Sequence, residues 1–310
     1  MKILFMGTPD FALFSLKAIN ESAHSVIGVV TQPDKPKGRG YTLTPPPVKV
    51  YAIEQNIPVY QPNTLKGEEF ASLLSQLDPD IIVVVAYGKI LPKNVLEYPR
   101  YGCVNVHGSL LPEYRGAAPM QRAIIDGKSE TGITTMYMAE GLDTGDMLLK
   151  DKVTIEENDN FEDIHDKLGE CGAALILKTL DTLEKGETVR IPQNDTDATY
   201  AAKITKEDCV LDFSLDAHTL HNRIRGLSPI PLSFSHTPDG KMLKIVESRI
   251  CDTVTDNAQA GEVVSLDNGI TVACGSGAIR ITKVLPEGKS RMNAEDFIRG
   301  RKISVGEILR

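Results

Sequence analysis

The chain has 310 residues, 41% hydrophobic and 25% charged, with 34 Lys and Arg against 42 Asp and Glu and a formal net charge of −8. These are proportions of a soluble globular protein long enough for two domains, and the acidic sum argues against a nucleic-acid partner unless basic residues cluster locally. The start MKILFMGTPD has no signal-peptide hydrophobic region, no run approaches the ~18 apolar residues of a membrane span, and Cys103, Cys171, Cys209, Cys251 and Cys274 never fall in a C-x-x-C spacing, so a cytoplasmic protein without disulfide framework or structural zinc is expected.

In chain order, residues 3–6, 25–30, 81–86 and 103–106 are short Val- and Ile-rich runs, the pattern of strands buried on both faces of a parallel sheet. Helix-like segments lie between them: 9–20 with Thr8 as N-cap and Pro9 at the first position, then 66–77, then 116–126. The alternation predicts an α/β fold, an N-terminal open, mostly parallel, Rossmann-like sheet flanked by helices. A long helix over 161–185 follows, with Asn160 and Asp163 placed as its cap. Residues 187–208 are polar and turn-rich and read as a linker. Beyond them come an amphipathic helix over 215–225 and alternating segments at 242–250, 261–266, 270–274 and 278–285, with Asp267-Asn268-Gly269 as a hairpin turn. That half predicts a smaller antiparallel β-barrel of the OB type. The domains expected are 1–189, a linker at 190–207, and 208–310.

The first βα turn, Gly7-Thr8-Pro9-Asp10, carries neither a dinucleotide fingerprint nor a P-loop. The stretch CVNVHGSLLPEYRGAAP is more informative. Asn105 and His107 are two apart on a strand, so both project to one face at its carboxyl end, where open α/β sheets bind ligands. Asn offers donors to a developing oxyanion, and His holds or passes a proton near neutral pH; a strand-end turn with a satisfied core histidine is the alternative reading. Asp143, in GLDTGD, is a candidate to orient or charge His107, or simply forms an Asx turn. An aspartic protease is excluded because its Asp-Thr-Gly triplet occurs once and its fold is all-β. His218 and His221, three apart on a helix, lack a third ligand and read as packing or solvated residues. Residues 31–49 form an unusually long connection carrying Lys35, Lys37, Arg39 and Lys49 against Asp34. A basic finger of this kind suits a phosphate backbone, the alternative being a solvated loop.

Taken together, MGTPDFA, TQPDKPKGRG with the following PPPVKV, VVVAYGKILP, NVHGSLLPEYRGAAP and GLDTGDML resemble the 10-formyltetrahydrofolate-dependent formyltransferases, and in order and spacing the bacterial methionyl-tRNA formyltransferase family. The last three motifs are shared across the wider group; the GRG-bearing loop and the C-terminal barrel point to the tRNA branch. The resemblance implies transfer of a formyl group from 10-formyltetrahydrofolate to the free α-amine of methionine on initiator methionyl-tRNA, by a monomer that needs no metal and no membrane. It implies Asn105 and His107 as oxyanion stabilisers with Asp143 orienting His107 and aiding proton transfer. It implies that Ser109, Leu110, Leu111 and Pro112 line the folate site, bordered by Ala86, Tyr87, Gly88 and Ile90. Arg39 corresponds to the loop arginine that approaches the tRNA acceptor end, with Lys35, Lys37 and Lys49 beside it. A formyltransferase for a small amine, or a tRNA-binding module without turnover, are the rival readings.

The net charge resolves on inspection. Residues 208–310 hold 13 basic and 13 acidic side chains, so the acidic excess sits upstream, while 31–50 is locally +3 and 280–302 locally +4. A positive path on an otherwise repelling surface is expected.

Overall fold

The computed structural model describes residues 1–37, 42–251, 257–300 and 302–310. The chain divides into two compact units, one of residues 1–116, 131–153 and 165–200, the other of 117–130, 154–164 and 201–310.

The first unit is built on a seven-stranded sheet. Its order is Met147–Thr154, Glu130–Tyr137, Cys103–His107, Ile81–Val85, Lys2–Gly7, Ser25–Val30 and Val59–Tyr60. The strands from Cys103–His107 to Val59–Tyr60 are parallel, and Glu130–Tyr137 runs antiparallel to Cys103–His107. The open, mostly parallel sheet expected from the sequence is present; Glu130–Tyr137 and Met147–Thr154 were not anticipated. All five residues of Ile81–Val85 are buried, and β-branched side chains covered on both faces contribute roughly 1.5–3 kcal/mol each. Register places Asn105 beside Val84 on one side and Met136 on the other, with His107 opposite Thr134.

The helices show where local signals prevail. Phe11–Asn20 is capped by Asp10, whose carboxylate accepts from the Phe11 N–H at 3.0 Å. Thr8, the expected cap, donates its hydroxyl to the Tyr87 carbonyl instead. The expected helix at 66–77 spans Glu68–Leu77, and that at 116–126 spans Pro119–Ile125. The long helix spans Phe161–Lys185 as predicted. Asn160 accepts from the N–H groups of Glu162 and Asp163, while its own N–H donates to Asp163, a reciprocal cap. At Gly172 a Cβ would already lie 3.1 Å from Val106, so glycine lets this helix approach the strand that carries His107.

The second unit is a curled antiparallel half-barrel of Ser233–His236, Met242–Cys251, Ala278–Pro286, Ile270–Ala273 and Val263–Ser265, in that order, with Met292–Asn293 on Ala278–Pro286. Asn268 and Gly269 take φ of 57° and 135° in the predicted turn. Leu243, Ile245, Val263, Ile270, Val272, Ile279, Ile281 and Val284 form its core with Leu220 and Ile224 of the helix Ala217–Gly226. Ser233–His236 reads as polar sequence yet is a strand, because the Ser233 and Ser235 hydroxyls donate to carbonyls of Arg223 and Arg310. His221 is buried and bonded to Ser248 and the Glu157 carbonyl, while His218 is exposed. Among the described residues no helix is long and apolar enough to cross a membrane.

Candidate active site

Asn105 and His107 share a face at the carboxyl end of their strand, and the structure brings Asp143 to the same place. His107 is buried at 6% exposure, and its Nε2 lies 3.0 Å from the Tyr114 carbonyl oxygen. A carbonyl only accepts, so Nε2 carries a hydrogen. The neutral ring therefore presents its lone pair at Nδ1, 3.7 Å from Asp143 Oδ2, too long for a hydrogen bond but close enough for strong attraction once Nδ1 is protonated. Among the described residues the Asn105 carboxamide, half-buried, has no hydrogen-bond partner. A donor pair left open beside a histidine and a carboxylate can serve an oxyanion and a proton at once.

Asp143 is held from several directions. The Gly116 N–H donates to its Oδ2 at 2.8 Å, and its own φ is +53°, in the left-handed region. Gln193 Nε2 donates to the carbonyls of Asp143 and Gly145, each at 2.8 Å, while its Oε1 accepts from Arg115 Nε at 2.9 Å. Thr199 accepts the Tyr114 N–H on its hydroxyl and the Arg115 N–H on its carbonyl. The polar segment expected as a linker thus supplies Ile191, which pairs with Met147, together with Gln193, Asp195 and Thr199, to the first unit. Tyr114, Gly116 and Gln193 were absent from the sequence-based site. The first two lie inside the quoted motif; Gln193 is 50 positions from Asp143 and carries no local signal.

The expected folate-site residues divide by burial. Ala86 and Gly88 follow the strand Ile81–Val85 with φ of 47° and 80°; Ala86, Gly88 and Ile90 are exposed, Ile90 at 82%. Leu142, next to Asp143, is 60% exposed. A Cβ at Gly88 would meet nothing within 4 Å. Open backbone and exposed aliphatic side chains suit the flat rings of a folate. Tyr87 is instead buried, its hydroxyl without a partner among the described residues and its pKa pushed up to about 12 by burial. Its carbonyl accepts from Thr8 and Gln32. Ser109 is buried, donates to the Glu113 carbonyl and has its own carbonyl bonded by Thr134. Leu111 is wholly buried against Met136 and Met147, so its side chain is core; its N–H donates to Thr134 and its carbonyl accepts from Lys150, whose ammonium burial pushes below the ordinary lysine value. Leu110 and Pro112 are half-buried.

The basic loop is a short hairpin, Lys35–Lys37 paired with Thr42–Thr44. Lys35 is exposed, and Arg39 lies outside the described residues. Lys49 has its ammonium spent on both oxygens of Asp34 and on Gln61, all at 2.8 Å. Those bonds hold the Asp34 carboxyl below the usual range and place Lys49 as a brace for the chain leading into the hairpin. Among the described residues no three His, Cys, Asp or Glu side chains gather as a metal site.

A carboxyl-end Asn and His with a loop aspartate, on a mostly parallel sheet, form an arrangement able to serve an oxyanion and a proton, and comparison with known proteins gives the class of enzyme. Residues 1–180 match the formyl transferase model and residues 203–302 the formyl transferase C-terminal domain model; the chain belongs to the formyl transferase family and is a formyl-transferring enzyme. It is 48% identical over 310 residues to the methionyl-tRNA formyltransferase of Desulforamulus reducens, covering all of this chain and 98% of that one. It is 46% identical over 307 residues to the methionyl-tRNA formyltransferase of Bacillus licheniformis, covering 98% and 96%. Solved structures share the fold at lower identity. An N-formyltransferase from Helicobacter canadensis, in complex with folinic acid and dTDP-3-aminofucose, superposes with a TM-score of 0.68 at 19% identity over 91% of this chain and 98% of that one. HypX from Aquifex aeolicus in complex with tetrahydrofolic acid gives 0.62 at 16% identity over 96% of this chain, which spans about half of HypX at 47%.

Proposed function

We propose that the protein transfers the formyl group of 10-formyltetrahydrofolate to the free α-amino group of methionine on initiator methionyl-tRNA. The observation that carries the acceptor is the extent of the match: 48% identity to a relative of that name runs over all 310 residues, the basic hairpin and the half-barrel included. The catalytic work falls to residues 1–189 and contact with tRNA to the hairpin and residues 208–310. The protein acts as a cytoplasmic monomer.

The folate supplies a formyl carbon activated by its bond to nitrogen; the amine adds to that carbon, the bond to the folate nitrogen breaks, and one proton moves from amine to leaving group. Asn105 donates from its carboxamide to the formyl oxygen as negative charge grows there. His107, fixed by Tyr114 through Nε2, takes a proton at Nδ1, where Asp143 stabilises the resulting imidazolium. That pair holds the amine proton and returns it, so side chains serve both oxyanion and proton and the reading invokes no metal. Ala86, Gly88, Ile90, Leu110 and Pro112 border the folate, while the buried Ser109 and Leu111 hold the turn that carries the last two. Lys35, Lys37 and Arg39 meet tRNA phosphates.

The test is a formylation assay with 10-formyltetrahydrofolate and, side by side, initiator methionyl-tRNA, free methionine and a dTDP-amino sugar. Formylation of methionyl-tRNA alone is expected. Formylation of the amino sugar with none on the tRNA would overturn the acceptor, and tRNA binding without turnover would overturn the enzyme.

A further inference from the structure

Arg115 is a buried charged side chain, 2% exposed, and the residues on either side of it in sequence hold the two members of the catalytic pair. The Tyr114 carbonyl takes His107 Nε2; the Gly116 N–H takes Asp143 Oδ2. Its own guanidinium reaches Asp143 by a second route. Arg115 Nε donates to Gln193 Oε1, and Gln193 Nε2 donates to the carbonyls of Asp143 and Gly145. Covalent chain from Arg115 to Gly116 closes a ring: Gly116 to the Asp143 carboxylate, the Asp143 backbone to Gln193, Gln193 back to Arg115.

The chemistry of the ring admits one amide orientation. Guanidinium nitrogens only donate and carbonyls only accept, so Gln193 must turn its oxygen to Arg115 and its NH2 to the loop. A leucine, glutamate or methionine at 193 cannot satisfy both ends. Burial of the guanidinium raises the cost of leaving Arg115 unpaired. Arg115 also pairs with Asp195 at 2.8 Å, but that carboxylate is 84% exposed, so solvent screens the pair. A left-handed, non-glycine Asp143 needs surroundings that over-determine it, and this ring does so.

We propose that Gln193, oriented by Arg115, is a positioning residue for formyl transfer, holding the Asp143 carboxylate in place against His107 through the loop backbone. The inference rests on the catalytic reading of Asp143. The test measures kcat and KM for 10-formyltetrahydrofolate and methionyl-tRNA in Gln193→Ala, in Gln193→Met, which keeps length without the amide, in Asp143→Asn and in the Gln193→Met/Asp143→Asn double variant, with thermal melting of each. Expected are a drop of about 10- to 100-fold in kcat for either Gln193 variant, the scale of a small misplacement of a reacting group, with both KM values within about twofold. The double variant loses no more than Asp143→Asn alone, because Gln193 acts through Asp143. Losses that multiply in the double variant, full activity in Gln193→Met, or a fall in kcat only as large as the unfolded fraction from melting would each overturn the proposal. Full activity in Asp143→Asn would instead overturn the catalytic reading on which it stands.

Discussion

His107 donates from Nε2 to the backbone carbonyl of Tyr114 across 3.0 Å, which leaves the lone pair on Nδ1, 3.7 Å from Asp143. His107→Gln keeps a donor for that carbonyl but has no ring nitrogen to take a proton. It is expected to fold with near-normal melting and to lose formyl transfer by about 100-fold or more, the usual share of a general acid or base. Single-turnover formylation decides it; a variant within about tenfold of the parent would remove His107 from proton transfer.

Lys35 and Lys49 sit in one basic segment but differ in what they can offer RNA. Lys35 is exposed, while the Lys49 ammonium is consumed by Asp34 and Gln61. Binding of methionyl-tRNA measured across a salt series should give a plot of log K against log salt whose slope is shallower by about 1 in Lys35→Ala. In Lys49→Met the slope should match the parent. Equal slope changes in both would mean that the Lys49 pairing opens when RNA binds.

The placement of Asn105 and His107 on one face is legible because period-2 alternation on an apolar strand makes two polar residues conspicuous, and the cap at Asn160 is legible because that signal is local. The sequence misses whatever depends on partners distant along the chain. Thr8 has the composition of an N-cap, yet the Tyr87 carbonyl, 79 positions away, claims its hydroxyl. Leu111 sits in the folate motif, but Met136 and Met147 bury it. Gln193 lies in a stretch with no periodicity, and its two carbonyl partners are 50 and 48 positions upstream. Ser233–His236 hides its strand character behind hydroxyls that the fold satisfies.

Arg122 grips Asp208 with both terminal nitrogens at 2.9 Å, and the Thr205 N–H adds a third bond. The Arg122 hydrogen bond, ahead of the others, holds the Asp208 carboxyl down at about 2. A depressed carboxylate stabilises the fold above its unfolded value near 4 and loses that contribution as pH falls toward 2. With side chains 21% and 26% exposed, solvent screening leaves about 1 kcal/mol. Urea unfolding of Asp208→Asn against the parent should show that deficit at pH 7, narrowing between pH 4 and pH 2. A constant deficit would mean that the loss is one of packing.

His221 is 2% exposed, and burial pushes its pKa below the ordinary histidine value, with Arg225 and Arg249 adding to the shift and the Glu157 carbonyl opposing it. The folded state therefore keeps the ring neutral while the unfolded chain binds a proton below about 6.5. Stability is full above that pH and erodes as pH falls through it. Unfolding free energies between pH 8 and pH 5 should decline more steeply in the parent than in His221→Gln, and parallel curves would mean that the ring takes its proton while folded.

Gly145 tests whether loop placement, rather than stability, limits the reaction. A Cβ there would lie 1.7 Å from the Tyr137 carbonyl oxygen, and the loop cannot retreat, since the Tyr137 N–H is bonded to the Asp146 carbonyl at 2.9 Å and Gln193 holds the carbonyls of Asp143 and Gly145. Gly145→Ala must therefore move Asp143. Gly186→Ala is the counterpart: its φ is +71° with nothing within 4 Å of a Cβ, so it costs about 1 kcal/mol of backbone strain and touches no catalytic group. Gly145→Ala should lose kcat by about 100-fold, far beyond what its unfolded fraction explains, while Gly186→Ala melts earlier at unchanged kcat. If both variants lose activity only in proportion to melting, the position of Asp143 is not what limits the rate.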